Sequence, residues 1–255
     1  MTKLLEIYKK LYQEKIFTLK YINSMCKNYQ MSKNLASKLV KKRLIKRITP
    51  GVYHIISLDE NGYVPDPIII ASKLKEKYFL SNLTALYLHN ILEEKPNEVY
   101  MNSKRKELFH YKNQIFKIEK TKNFFGVEEI DYKGHKIKIS NIERTLLDCI
   151  KNNFFPEPKS IIKTARKIYL NKKVNNKKML NYLFRYYTKK TMAKTGYILD
   201  SLKEGISIRE KDLNNIKKHL GKKVYYYIKT KRRFHFKKEP EHYNRKWKIM
   251  LPEEE

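Results

Sequence analysis

The stretch that decides the fold of the N-terminal part runs from Thr18 to Ile56 and is TLKYINSMCKNYQMSKNLASKLVKKRLIKRITPGVYHII. Its first part has apolar residues at three-residue spacing from Leu19 to Met25, which predicts a helix with one buried face behind a Thr18 N-cap. After a turn, Ser32 is the predicted N-cap of a second helix, whose apolar residues recur four positions apart. The stretch therefore predicts two consecutive helices joined by a turn.

The second predicted helix leaves one face polar and rich in lysine. Ammonium, amide and hydroxyl groups are the types that reach phosphates and base edges in the major groove of DNA. The DNA contacts predicted from this helix and its end are Lys33, Asn34, Ser37, Lys38, Lys41 and Lys42. A face that is merely solvated is the alternative, because runs of charge usually are.

A hairpin is predicted directly after the second helix. Leu44–Ile48 and Val52–Ile56 are rich in β-branched and aromatic residues, and Thr49–Gly51 supplies turn chemistry between them. Lys46 and Arg47 are expected near its tip, where they can follow a phosphate backbone or enter a minor groove. Helix, turn, helix and basic hairpin are the outline of a winged helix-turn-helix, which docks on double-stranded DNA. An ordinary two-stranded ribbon that caps a small core remains open.

The net charge of the whole chain also favours a nucleic-acid partner. The 255 residues contain 57 Lys and Arg against 26 Asp and Glu, a formal net charge of +31. Such a chain repels itself and favours a polyanionic partner, of which nucleic acid is the commonest. An AT-rich genome also enriches lysine, but it raises glutamate as well, so it does not account for the deficit of acids.

Cysteine usage and hydropathy exclude several classes. Cys26 and Cys149 are isolated, with no CxxC pair and no histidine spacing that would build a zinc site, so no metal and no cofactor are expected. No run of about 18 apolar residues and no signal-peptide pattern occurs. We therefore expect a soluble, cytoplasmic protein with no membrane partner.

The remaining pattern predicts an α+β protein. Alternating strands are predicted at 98–102, 114–119, 127–132 and 136–140, with Lys133-Gly134 as a hairpin turn. Helices are predicted at 2–14, 67–76, 82–92, 159–170, 176–187, 190–202 and 208–220. The expected fold is an N-terminal winged helix-turn-helix (1–60), a mixed α/β domain (67–221) with a small, mainly antiparallel sheet and a C-terminal helical bundle, and a basic aromatic extension (222–255).

Several residues in the middle of the chain resemble catalytic groups but have simpler interpretations. His89 lies alone on a mostly apolar helix, which is typical of a core or boundary histidine. Ser140 is the predicted N-cap of a further helix, and Glu143 stands three residues later, as in a capping box. Arg144 with its flanking carboxylates, Glu143 and Asp148, is interpreted as a structural ion pair that ties this helix to the sheet.

The extension carries a block of basic and aromatic residues. Charge and stacking together can bind nucleic acid, including single-stranded RNA. The predicted secondary nucleic-acid contacts are Arg232, Arg233, Phe234, Lys237 and Lys238. A tail that is partly ordered against the domain is the alternative.

An enzyme is not expected, because the chain has no phosphate-binding glycine loop, no HExxH and no nucleophile elbow. Its nearest approach to a catalytic cluster is Glu128, Glu129 and Asp131, close to Lys133 and Lys136. These residues would suit a metal-dependent nuclease only if carboxylates came from two adjacent strands, whereas they follow one another along a single predicted strand.

Four segments resemble the AbiEi family of antitoxins and transcriptional regulators. They are LASKLVKKRLIKRITPGVY, YFLSNLTALYLHNI, GHKIKISNIERTLLDCI and AKTGYILDSL, in this order along most of the chain. The resemblance implies an N-terminal DNA reader joined to a C-terminal antitoxin domain. It also implies repression of its own operon through repeated half-sites and antagonism of a partner toxin similar to nucleotidyltransferases.

The sequence leaves open whether copies of the protein associate on the DNA. It also leaves two alternative functions open. The alternatives to an antitoxin are a stand-alone DNA-binding or chromatin-associated protein without a toxin partner, and the metal-dependent nuclease.

Overall fold

The computed structural model describes residues 3–56, 64–155, 157–172, 174–206, 208–227 and 242–252. Their fold is α+β, as predicted, with ten α-helices and three sheets in these ranges. The chain divides into two compact units. Unit 1 comprises Met1–Leu80, Asn97–Asn123 and Glu129–Lys138, and unit 2 comprises Ser81–Pro96, Phe124–Glu128 and Ile139–Glu255. The N-terminal elements, predicted as a domain of their own, fall in the same unit as most of the large sheet.

Unit 1 begins with three helices and a three-stranded sheet, which we call the N-terminal segment (residues 3–56). Its elements are α1 (Lys3–Glu14), β1 (Ile16–Thr18), α2 (Leu19–Cys26), α3 (Tyr29–Lys41), β2 (Ile45–Thr49) and β3 (Val52–Ile55). The sheet is antiparallel with β3 between β1 and β2. Side chains from all three helices and all three strands form one apolar core, including Leu11, Ile22, Leu39, Ile45 and Tyr53.

The start of α2 agrees with the prediction and the start of α3 does not. Thr18 is the N-cap of α2, and its Oγ1 accepts a hydrogen bond from the Tyr21 amide at 3.2 Å. The predicted cap Ser32 is wrong, because α3 starts earlier and is capped by Asn28, whose Oδ1 accepts from the Met31 amide at 2.9 Å. Ser32 is buried inside the helix, where its hydroxyl donates to Asn28 O at 2.7 Å. Both residue types favour caps, and the first of them to follow α2 serves as one.

The large sheet has six strands in the order β6-β7-β5-β4-β9-β8. They are β4 (Tyr78–Leu80), β5 (Glu98–Ser103), β6 (Glu107–Tyr111), β7 (Gln114–Lys120), β8 (Val127–Tyr132) and β9 (His135–Ser140), with α4 (Pro67–Leu74) ahead of them. Strands β4 to β7 lie wholly in unit 1. The sheet is therefore larger than the small sheet that the sequence predicts.

The sheet is mixed, because β5 and β7 are parallel, with Val99 opposite Phe116 and Met101 opposite Ile118. The missed strand β6 pairs antiparallel with β7 at the sheet edge, and its residues are exposed or half-buried. Placing β7 between β5 and β6 buries Phe116 and Ile118 completely. Burial of these two side chains favours β7 at an inner position of the sheet. Because β7 is parallel to β5, the chain between them has to cross over instead of forming a simple meander.

Unit 2 contains six helices and a small sheet. The elements are α5 (Asn82–Leu88), α6 (Ile142–Asn152), α7 (Pro158–Asn171), α8 (Asn176–Tyr186), α9 (Lys189–Asp200), α10 (Glu210–His219), β10 (Tyr225–Tyr226), β11 (Tyr243–Asn244) and β12 (Ile249–Met250). Helix α9 packs against α6, α7, α8 and α10, and its residues from Thr191 to Gly196 are all buried. A helix buried on every side is the centre of its core.

The C-terminal end of the described chain is part of that core. Strand β12 is parallel to β10 and antiparallel to β11. Tyr227, Trp247 and Ile249 are each at most 2 % exposed and pack with the helices. The described residues of the predicted extension thus help to hold unit 2 together.

Candidate nucleic-acid interface

All eight residues predicted to contact DNA are exposed and lie in the N-terminal segment. Five belong to α3, Lys42 is the residue that ends this helix, and Lys46 and Arg47 lie on β2. They are Lys33, Asn34, Ser37, Lys38, Lys41, Lys42, Lys46 and Arg47. The eight residues thus lie on one helix, at its end and on the strand that follows, and we call this set the basic surface. Lys46 and Arg47 are consecutive in β2, so their side chains point to opposite faces of the sheet.

The orientation of α3 follows from what it buries. Ala36 and Leu39 are at most 2 % exposed in the core of the segment, so the opposite side of the helix faces outward. Lys33, Ser37 and Lys41 are spaced four residues apart and lie in one row on that side. A helical face about three turns long, flanked by cations, has the length and chemistry that major-groove contacts need.

The end of α3 holds a further cation that the sequence prediction missed. Arg43 has a left-handed backbone, with φ of 56°. The Arg43 amide donates to Val40 O and the Leu44 amide to Leu39 O, both at 3.0 Å, which is a Schellman ending. Glycine is the residue that best tolerates this conformation. Arg43 instead places an exposed guanidinium between α3 and β2.

The position of Lys46 and Arg47 differs from the prediction. They lie in the body of β2, opposite His54 and Tyr53, and the tip of the hairpin at Thr49–Gly51 carries no cation. Gly51 takes the positive φ of 83° that the turn needs. The Arg47 guanidinium lies 5.8 Å from the centre of the Tyr53 ring. Both cations project from an edge strand, because β3 and not β2 is central in the sheet.

The cations of the basic surface have no acidic residues among them in the sequence. Residues 28–49 contain seven Lys and Arg and no Asp or Glu. The rest of the segment contains two acids, Glu6 and Glu14 on α1, and Glu14 Oε1 lies 2.8 Å from Lys73 Nζ. Residues 28–49 thus concentrate positive charge of the kind that attracts a polyphosphate.

His54 adds no charge beside these cations. Its Nε2 lies 2.8 Å from the Tyr111 hydroxyl and its Nδ1 lies 2.7 Å from Ile55 O. Burial lowers the pKa of His54, and nearby Lys112 and Lys46 lower it further. The ring is therefore neutral at pH 7 and acts as a packed polar group.

The earlier start of α3 exposes residues that sequence reasoning did not select. Tyr29 and Met31 are 57 % and 56 % exposed, and Gln30 is exposed between them. The Lys33 ammonium lies 4.6 Å from the centre of the Tyr29 ring. The available signal was Asn28, which is as good an N-cap as Ser32 and stands four residues earlier.

His89 in unit 2 is a buried polar group, in agreement with its interpretation. Its Nε2 lies 2.8 Å from Ser140 O, and only 9 % of the residue is exposed. Burial lowers the pKa of His89. Its closest carboxylate oxygen, from Glu128, is 3.9 Å away.

The ion pair predicted in α6 is present between Arg144 and Asp148, but Glu143 does not take part in it. Arg144 Nε lies 3.1 Å from Asp148 Oδ2, and its guanidinium covers the Phe125 ring at 4.2 Å and donates to Phe125 O. Glu143 instead accepts from Lys178 Nζ at 3.2 Å, which connects α6 with α8. Asp148 also accepts from the Tyr187 hydroxyl at 2.7 Å. These buried contacts account for Arg144 and Asp148 structurally.

The capping prediction for α6 is wrong by one residue. Ser140 ends β9, and Asn141 is the N-cap, accepting from the Arg144 amide at 3.1 Å. The Ser140 hydroxyl lies 2.7 Å from Thr145 Oγ1 instead. An asparagine directly after a strand satisfies the helix end equally well.

The carboxylates considered for a nuclease have structural contacts. Asp131 Oδ1 accepts from the Gly134 amide at 3.1 Å in the β8–β9 turn, and Glu129 lies 3.9 Å from Lys136 Nζ. In the part of the chain that the structure describes, no three His, Cys, Asp or Glu side chains are grouped to hold a metal ion.

None of the helices in the described ranges has both the length and the apolarity that spanning a bilayer requires.

The residues predicted as secondary nucleic-acid contacts are not among those that the structure describes. They are Arg232, Arg233, Phe234, Lys237 and Lys238, which lie outside the described residues.

Comparison of the chain with known proteins finds no matching family model and no matching curated protein.

Proposed function

We propose that the N-terminal segment is a winged helix-turn-helix that binds double-stranded DNA, and that the protein acts as a transcriptional regulator. The observation that carries the proposal is a run of exposed cations without any acid on α3, at its end and on β2. Exposed Lys and Arg run from α3 through its end onto β2, within 22 residues that contain no acid.

In this proposal α3 is the recognition helix and β2–β3 is the wing. The Ser32 hydroxyl lies 3.2 Å from Asn23 Oδ1, which links α3 to α2 and orients the helix pair. Lys38 and Lys41 contact phosphates beside the major groove, while Lys46 and Arg47 follow the backbone along the exposed edge of the sheet. The turn between the helices needs a left-handed residue, which Lys27 supplies with φ of 55°.

We further propose that the protein is the antitoxin of a toxin-antitoxin pair, with unit 2 as the surface that meets the toxin. Support comes from the four sequence segments that resemble AbiEi proteins. A nucleotidyltransferase-like toxin encoded beside this gene would support the pairing. Growth inhibition by that neighbour, relieved on co-expression of this chain, is the expected result, and persistent inhibition contradicts the antitoxin role.

The DNA-binding proposal is tested with Lys38→Ala/Lys41→Ala and a duplex from the protein's own promoter. Loss of two phosphate contacts weakens binding and lowers the slope of log K against log salt by about 2. Titration of a labelled duplex at several salt concentrations measures both quantities. The fold is expected to stay intact, because both side chains are exposed and alanine favours a helix.

The matched control is Lys163→Ala/Lys177→Ala, which removes two exposed helical lysines from unit 2. It has the same net charge as the test variant. If both doubles weaken binding equally, attraction is a property of total charge and the basic surface is not the docking face. If wild-type protein binds no duplex, the DNA-binding function itself fails.

A further inference from the structure

Two exposed amides at the start of α3 form a pair. Gln30 is the second residue of the helix and Asn34 the sixth, so they lie on adjacent turns. Gln30 Nε2 donates to Asn34 Oδ1 at 3.1 Å. Both side chains are exposed on the side of the helix that carries Lys33 and Lys38.

This hydrogen bond determines how the pair presents itself to a ligand. It consumes one Gln30 proton and engages the Asn34 oxygen. Gln30 Oε1 remains as an acceptor, Gln30 Nε2 keeps one proton, and Asn34 Nδ2 keeps both of its protons. Gln30 Oε1 and Asn34 Nδ2 are the acceptor and the donor that the contact between the two amides does not use.

We propose that the Gln30–Asn34 pair reads an adenine in the major groove, an inference that rests on the proposed DNA binding. Adenine presents there an N6–H donor and the N7 acceptor. Gln30 Oε1 accepts from N6, and Asn34 Nδ2 donates to N7. Guanine presents O6 at the first position, which repels an oxygen, and cytosine has no acceptor to match N7.

The location of the pair supports a role in reading bases. In helix-turn-helix proteins the N-terminal residues of the recognition helix reach base edges. Here Lys38 and Lys41 occupy the C-terminal half of α3, where they serve phosphates, and the two amides lie in the N-terminal half beside Lys33. The amides are thus placed at the end of the helix that reaches bases, with a cation next to them.

The test is selection of bound duplexes from a randomised pool by wild-type protein, Gln30→Ala, Asn34→Ala and the double variant. We expect a wild-type motif with a preferred adenine, and loss of about tenfold in that preference at the same position in both single variants. The double variant should lose little more, because the two amides act as one unit. Circular dichroism confirms folding, which alanine at exposed helix positions favours.

Gln13→Ala is the matched control, since it truncates an exposed glutamine on α1. It should leave the selected motif unchanged. A wild-type motif whose base preferences survive in Gln30→Ala and Asn34→Ala overturns this inference and leaves DNA binding intact. Duplex binding without any sequence preference overturns it as well, and absence of duplex binding overturns both proposals.

Discussion

The ring of Trp247 lies directly against Gly196 of α9, at a place where a Cβ atom would overlap the ring. Trp247 is fully buried, and its Nε1 donates to Asp200 Oδ2 at 3.0 Å. The neighbouring Lys246 ammonium lies 2.7 Å from the other Asp200 oxygen. The C-terminal strand region is therefore anchored on the central helix of unit 2, some 50 residues earlier in sequence.

Substitution Gly196→Ala should displace Trp247 and destabilise unit 2. Overpacking of this kind costs about 1–3 kcal/mol. Trp247 is the single tryptophan of the chain, so its emission should shift to longer wavelength as the ring becomes hydrated. Fluorescence spectra and urea unfolding measure both effects.

A second glycine serves as the control. At Gly205 the nearest atom to an added Cβ is Leu202 O at 3.8 Å, an ordinary contact. Gly205→Ala should leave the emission maximum and the unfolding midpoint in place. Unchanged emission in Gly196→Ala would show that Trp247 does not pack on this helix.

The titration of Lys194 should contribute stability to the folded state as the pH rises from 8 to 10. This residue is 1 % exposed, its Nζ lies 4.8 Å from the centre of the Tyr227 ring, and burial lowers its pKa from 10.5 to about 8. Between these values the unfolded chain binds the proton that the folded chain has lost, so raising the pH favours the folded state. Lys194 alone should add roughly 2 kcal/mol to the free energy of unfolding from pH 8 to pH 10. Cys149 acts in the opposite direction, because burial raises the pKa of its thiol.

Lys194→Met isolates that contribution. The variant keeps the apolar stem and removes the ionisable group. The free energy of unfolding of the wild-type protein should therefore rise by roughly 2 kcal/mol relative to that of the variant between pH 8 and pH 10. Urea unfolding at pH 8, 9 and 10 measures it. Lys163→Met, at an exposed lysine of α7, should keep the wild-type pH profile, and an equal profile in both variants would contradict the assignment to Lys194.

Replacement of Arg43 by glycine should separate folding from DNA binding. Glycine removes the backbone strain at φ of 56°, which raises stability by up to about 1 kcal/mol. The lost guanidinium should weaken binding to duplex DNA and lower the salt slope by about 1. Thermal unfolding and duplex titration measure the two effects.

Lys133→Gly provides the comparison for Arg43, since Lys133 is an exposed cation with φ of 53° in the β8–β9 turn. It should relieve similar strain without specific loss of DNA affinity. Full DNA affinity in Arg43→Gly would exclude Arg43 from the basic surface that contacts DNA.

Loss of the Asp148 carboxylate should be strongly destabilising. Asp148→Ala leaves the Arg144 guanidinium buried without its ion-pair partner and removes the acceptor of the Tyr187 hydroxyl, which costs about 3–5 kcal/mol. Urea unfolding measures the change. DNA affinity of the folded variant should not change, because Asp148 belongs to unit 2.

Glu93→Ala removes a carboxylate from the exposed pair with Lys167 and should leave the unfolding midpoint unchanged. A midpoint for Asp148→Ala equal to that of Glu93→Ala would show that the α6 pair is not structural.

Helix positions were the most predictable feature of the chain. Periodic apolar residues predicted α1, α7, α8 and α9 within one or two residues, because a helix records its buried face locally. The exposure of all eight predicted DNA contacts also followed from residues close in sequence. The caps at Asn28 and Asn141 were missed, since two competent capping residues stood near each helix start and the packing of the helix chose between them.

By itself, the sequence determined the α+β class, the helices and the concentration of positive charge on residues 28–49, all of which depend on neighbours within a few positions. Only the tertiary structure decided the parallel pairing of β5 with β7 and the seating of Trp247 on Gly196. Strand order and the seating of Trp247 depend on which distant side chains exclude water together. The apolar area that distant side chains bury together is a property of the packed chain, and no local pattern encodes it.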